Sequence, residues 1–255
     1  MTGGDDDHPG AASEAAPDPV PEPAFEAAVR AVRSGDLAAL ALLLSGDPEL
    51  ASARTPAHGG RTLLHVATDW PGHHPNVTQT IAALVASGAD VDAPFAGEHP
   101  ETPLHWAASS DDTEAVAALL DAGADIDAPG AVIGGGTPLS DATAFGQWRA
   151  AALLVDRGAT VSAWDAAALG LTGRVVALLA ARPHDAVGPD LDGLLWAACH
   201  GGHLDTATHL LGAGADVNWL GWDGLTPLDA AERAHATDLA AWLRDRGALS
   251  RDQLD

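Results

Sequence analysis

An all-α solenoid, a single stack of short antiparallel helix pairs, is the fold class this sequence predicts, and three observations predict it. First, an apolar triplet at i, i+3 and i+4 recurs as Leu40, Leu43 and Leu44, as Val116, Leu119 and Leu120, as Ala151, Leu154 and Val155, and as Ala207, Leu210 and Leu211. That spacing marks one face of a helix. A helix this short cannot bury such a stripe alone, so each copy needs a neighbour on either side. Second, the same punctuation brackets copy after copy, a Thr-Xaa-Leu opening and a Gly-Ala closing. Third, hydrophobic residues make up 47% of the chain but aromatics only 4%. A core of large side chains is therefore excluded, whereas close-packed Ala-rich helices suit this composition.

The elements follow in order. Residues 1–23 are Asp, Glu, Pro, Gly and Ala with almost nothing bulky, too little apolar area to offset the entropy of ordering. They are expected to form a disordered acidic tail ahead of a repeat domain at 24–249 and a short C-terminal tail at 250–255. Two helices are expected at Phe25–Ser34 and Leu37–Leu44, broken at Gly35. Later first helices open at Thr62-Leu-Leu-His65, Thr102-Pro-Leu-His105, Thr137-Pro-Leu-Ser140 and Thr226-Pro-Leu-Asp229. Threonine caps a helix well, and a proline at the next position loses only an amide that would be unpaired anyway. Second helices close at Gly88, Gly123, Gly158, Gly214 and Gly247, each followed by alanine, where glycine takes the left-handed conformation without steric cost.

The run T-P-L-H-x-A-A, two helices and then G-A-D resembles the ankyrin repeat. The resemblance spans roughly 24–249, about seven copies, and is strongest at 61–127 and 193–249. The phrases at 67–76, 101–112 and 145–151 also resemble those of a group of bacterial ankyrin repeat proteins, a group to which the resemblance attaches no activity. The family resemblance implies about seven helix pairs with short β-hairpin fingers, and binding of other proteins through the fingers and first helices. Departures matter too. Openings fall 40 residues apart from Thr62 to Thr102 and 35 apart from Thr102 to Thr137, against about 33 in the ordinary repeat. Most of the first excess lies in an insertion at 69–76. Near residue 160 the finger is missing, because Ala159–Trp164 runs almost directly into the next helix, and a kink or gap in the finger row is expected there. The copy at 161–191 ends in Arg182-Pro183 rather than Gly-Ala, and the first copy ends in Asp47-Pro48.

Charge narrows the partners. The formal net charge is −24, and all 12 basic residues are Arg. Nucleic acid and anionic membranes, which need clustered cations, are disfavoured, and a partner with a basic surface is favoured. With no Lys there is no Walker A, Schiff-base or protein-kinase lysine. The single Cys199 excludes an intrachain disulfide. The N-terminus lacks a signal-peptide pattern and no apolar run approaches the length of a membrane span, so a cytoplasmic location is expected.

Candidate chemistry is sparse. His65 and His105 occupy the T-P-L-H position, where the family resemblance implies a structural imidazole bonded to backbone. His203 sits at a turn, and the adjacent His200 is ambiguous. Cys199 and His203 share a helical spacing, yet Cys199 falls where another copy has Ala108, a small packing site. Asp69, His73 and His74 in the insertion, with His65 one turn earlier, have ligand chemistry but no zinc-motif spacing. Asp111-Asp112 stand where a second helix needs an N-cap. No cofactor is expected, and no enzyme activity.

The 8 tryptophans, against 3 Phe and no Tyr, are the most telling residues. Trp148, Trp164, Trp196 and Trp242 are expected between helices. Trp70, Trp106, Trp219 and Trp222 fall on an insertion, a first helix and a finger, either as binding anchors or as packing between fingers. The expected function is protein binding on the finger and first-helix face, with Trp70, Trp106, Val132, Ile133, Trp219 and Trp222 as apolar anchors and Asp111, Asp112 and Asp223 as an acidic rim. The alternative is a small-molecule or metal-dependent site where the insertion at 69–76 faces Trp106 and Asp111.

Overall fold

The computed structural model describes residues 22–54, 59–181, 190–221 and 223–254. Of the tail expected at 1–23, residues 22 and 23 open the first helix, while residues 1–21, like Arg182-Pro183, Trp222 and Asp255, lie outside the described residues. Within them, seven helix pairs follow one another: α1 (Glu22–Ser34) with α2 (Leu37–Gly46), α3 (Leu63–Thr68) with α4 (Val77–Ala86), α5 (Pro103–Ser109) with α6 (Thr113–Asp121), α7 (Pro138–Ala144) with α8 (Trp148–Asp156), α9 (Ala163–Ala168) with α10 (Thr172–Ala180), α11 (Leu191–His200) with α12 (Leu204–Gly212), and α13 (Pro227–Arg233) with α14 (Thr237–Arg244). Each first helix packs on the next along α1, α3, α5, α7, α9, α11 and α13. The second helices stack in a parallel row that is looser between α8 and α10 and between α12 and α14 than elsewhere. The core is one continuous seam of the recurring apolar positions, among them Leu44, Val116, Leu119, Ala151, Leu154, Ala207 and Leu210.

The punctuation does the work expected of it. Thr62, Thr102, Thr137 and Thr226 are N-caps of α3, α5, α7 and α13. Gly88, Gly123, Gly158, Gly214 and Gly247 all have positive φ, from 84° to 104°. Where threonine is absent, Ser162 caps α9 and Asp190 caps α11.

The fingers are bonded turns, with no strand among the described residues. Phe95 N donates to Glu101 O at 2.7 Å, Gly130 N to Gly136 O at 3.0 Å and Gly221 N to Leu225 O at 2.8 Å. Prolines 94 and 129 each remove a donor near the finger base, and segments this short close a turn before they can build a ladder. Neighbouring fingers stack tightly: a Cβ on Gly130 (φ 137°) would lie 2.5 Å from the Pro100 carbonyl oxygen. Their bases are tied by one repeated bond. The side chain of Asp92 accepts from Asp125 N at 2.9 Å, that of Asp127 from Thr160 N at 2.8 Å, and that of Asn218 from Leu249 N at 2.8 Å. At residue 160 the chain passes from this bond straight to the Ser162 cap, without a finger.

Candidate functional site

The histidine of each T-P-L-H opening joins two repeats. His65 Nδ1 accepts from Thr62 N (3.4 Å) and pairs with Thr62 Oγ1 (2.8 Å), which fixes the proton on Nε2. Nε2 then donates to Glu101 O at 3.1 Å, the residue before the next cap. His105 does the same to Gly136 O at 3.4 Å. Burial, the largest cause, holds both imidazoles down to about 4, so they are neutral at physiological pH. In α11 the same job falls to Trp196, whose indole N–H donates to Leu225 O at 3.1 Å. Asp165 and Asp229 keep the cap and reach across as acceptors instead, Asp165 from Thr143 Oγ1 of the preceding repeat at 2.7 Å and Asp229 from Arg251 N at 2.8 Å.

The insertion is braced on both sides. Asn76 Nδ2 donates to Gly35 O at 2.9 Å, and His73 N donates to Asp112 Oδ2 at 2.6 Å. The Trp70–Pro71 peptide is cis. Trp70 stands out at 73% exposure, facing Trp106 across a hollow of about 470 Å³. Val132, Phe145, Glu101 and Gln147 complete its walls. Trp106 is fixed by Nε1 donating to Glu101 Oε2 at 3.2 Å, by Phe95 at 5.3 Å between ring centroids and by Arg61 stacked at 5.0 Å.

A second cleft, about 680 Å³, adjoins the first, sharing Phe145 with it and taking Ile133 where the first takes Val132. Ile133, Phe145, Trp148, Trp164, Trp196 and His200 line it, with Asp223 and Arg233 at one edge. Trp164 stacks on Trp196 (5.8 Å, 21°), and Trp196 stacks on His200 (5.2 Å, 28°). His200 Nδ1 faces Arg233 Nη2 at 3.4 Å. Its buried Nε2 lies near the carbonyls of Thr143 and Ala144 but makes no hydrogen bond of ordinary geometry. Burial, then the Arg233 charge, keep this imidazole below its usual pKa.

The expected site residues therefore divide. Trp70, Trp106 and Val132 share the first hollow; Ile133 and Asp223 belong to the second cleft, where Asp223 Oδ2 accepts from Arg233 Nη1 at 2.9 Å. Trp219 is half-buried and packs against the core outside both. Asp112 is fully buried, capping α6 through Ala115 N (3.0 Å), so it presents no carboxylate to a rim. Asp111 faces α8, accepting from Arg149 Nε and Ala150 N, both at 2.8 Å. Of the tryptophans expected between helices, only Trp196 is buried; Trp148 and Trp164 line the cleft, and Trp242 lies under Arg246 at 3.9 Å. The insertion's ligand-type side chains are not brought together. Asp69 pairs with Arg61 at 2.6 Å, His73 turns to Asp112, and His65 is committed to Glu101. Among the described residues no three His, Cys, Asp or Glu side chains converge as a metal site. Cys199 is fully buried, which raises its thiol pKa, so it offers no nucleophile beside His203.

Phe145, Glu101, Asp141 and the pairing of His200 with Arg233 went unsingled by sequence. Only Asp141 carried a signal there, a charge at a position where other copies are apolar.

Stacked helix pairs with turn fingers and a furrowed first-helix face define an α-solenoid of short repeats. Comparison with family models narrows this: residues 76–165 match ankyrin repeats in three copies, and residues 193–221 match a further ankyrin repeat. The chain is an ankyrin repeat protein. No curated protein matched it. Ankyrin repeats are generally protein–protein interaction modules. No described helix is long and apolar enough to cross a membrane.

Proposed function

We propose that this chain is a protein-binding module that seats a partner with a basic surface along the fingers and first helices. The observation that carries the reading is an aromatic band, Trp70, Trp106, Phe145, Trp148 and Trp164, exposed in two adjoining hollows that Val132 and Ile133 divide. Aromatic side chains in preformed hollows are the usual anchors of an interface. The capped, bonded repeats hold these anchors rigid, so docking costs little entropy. The net charge of −24 favours a basic partner. Asp223 supplies part of an acidic edge.

Trp70 and Ile133 are exposed, so Trp70→Ala and Ile133→Ala should leave the fold intact. Each is expected to weaken capture of the native partner about tenfold, corresponding to about 1.4 kcal/mol. Unchanged affinity in both variants would overturn the reading. A small-molecule site in the hollow beside the insertion is the second reading, favoured by the facing of Trp70 and Trp106. Its metal-dependent form has less support, because Asp69 and His73 already have partners.

A further inference from the structure

Position 141 departs from its own repeat. Asp141 stands four residues after the capping Thr137, where the corresponding positions carry Val66, Trp106, Ala166 and Ala230. Val66, Ala166 and Ala230 are fully buried, as is Asp141. Yet no N–H or hydroxyl group donates to either Asp141 carboxylate oxygen. Its hydrogen-bond partner is another carboxyl, that of Glu101. Glu101 in turn lines the hollow between the insertion and the finger, holding Trp106 Nε1 at 3.2 Å. The ion pairs among the described residues include neither carboxyl. Asp69, at the same hollow, is already matched by Arg61.

Two facing carboxyls in a poorly solvated place disfavour each other's ionisation. Burial first, then the Glu101 charge, push Asp141 up to about 8, and burial raises Glu101 too. A buried acid where three other copies pack Val or Ala is out of step with the apolar core, and such local inconsistencies gather at functional sites. His99 is a basic neighbour of Glu101, but no arginine pairs with either carboxyl among the described residues, and the hollow in front of Glu101 is open to a cation.

We propose that this hollow receives the guanidinium of a partner's arginine side chain, flanked by Trp70 and Trp106 and neutralised by Glu101, which Asp141 holds in place from behind. Arginine is favoured over lysine because its planar fork matches paired carboxyl oxygens and stacks on indole faces. Arg61 already lies on Trp106 in that manner. The proposal rests on this face being the partner-binding face, and it names the chemistry that the face selects.

The test uses N-acetyl-arginine methylamide as the probe and N-acetyl-citrulline methylamide as its uncharged counterpart. The readout is the Trp106 indole N–H resonance in the whole chain. The arginine probe should shift that resonance saturably, with the citrulline probe at least tenfold weaker. Asp141→Ala should weaken the arginine probe at least tenfold while unfolding at the same or a higher temperature. Equal response to both probes, no saturable response to arginine, or unchanged binding by Asp141→Ala would overturn the proposal. A lowered unfolding midpoint in both Asp141→Ala and Asp141→Asn would make Asp141 a structural residue and overturn it as well. If Trp70→Ala and Ile133→Ala abolish partner capture while the probe gives no response, the arginine assignment alone fails.

Discussion

At the scale of single residues, two kinds of buried titratable group pull stability in opposite directions with pH. His65 and His105 must stay neutral to accept at Nδ1, and burial holds them down to about 4. Their contribution is present above the ordinary histidine value of about 6.5 and is lost as pH falls towards 4, because the unfolded chain takes up protons that the fold refuses. Asp141, pushed up to about 8, behaves the other way. The folded chain keeps a proton that the unfolded chain has released, so its contribution is full below about 4 and is lost as pH rises through 8. Asp141→Ala should therefore gain stability relative to the parent as pH rises from 5 to 9, which urea midpoints at several pH values would measure. A constant difference would refute the assignment. His105→Ala should lower stability by about 1 kcal/mol, since it removes a cap partner and one of the bonds to the Gly136 carbonyl, which keeps Gly130 N and Ala131 N. His105→Asp should recover part of this, because Asp229 performs the capping half of the task in its own repeat.

At the scale of the helix pair, backbone conformation separates glycines that punctuate from glycines that merely occur. At Gly123, with φ 96°, an added Cβ would meet nothing within 4 Å, so Gly123→Ala would isolate the cost of the left-handed backbone. It should destabilise by about 1 kcal/mol. Gly173, inside α10 with equal space and no positive φ, should give the reverse, a gain of up to about 1 kcal/mol on Gly173→Ala. Thermal midpoints of the two variants test both signs. This level was the most legible in the sequence. Caps at Thr62, Thr102, Thr137 and Thr226, the five closing glycines and the pairing of helices are all local, set within a turn of the residue that specifies them. The hollows were half legible. Exposure of Trp70, Val132 and Ile133 follows from their place on an insertion and a finger, but the meeting of Trp70 with Val132 depends on stacking of repeats some 60 residues apart. Trp148 and Trp164 sit on helices, and periodicity cannot say that the cleft leaves one side of each uncovered. Asp112 reads as an exposed acid until the insertion closes over it through His73.

At the scale of the whole molecule, under the proposed reading the charge of −24 would set how a basic partner arrives rather than where it sits. Association should slow as salt rises from about 50 to about 300 mM, while dissociation, governed by the aromatic hollows, changes little. Stopped-flow measurement with the captured partner checks this, and a salt effect confined to dissociation would contradict it. The missing finger at residue 160 has a further consequence. A row of near-identical repeats offers an elongated partner several equivalent placements, each displaced by one repeat. The break after Ala159 removes that translational equivalence. Trp164, half-buried against Trp196, lines the cleft at that gap, so under the proposed reading a bound chain whose bulky residue enters the gap would be held in a single register.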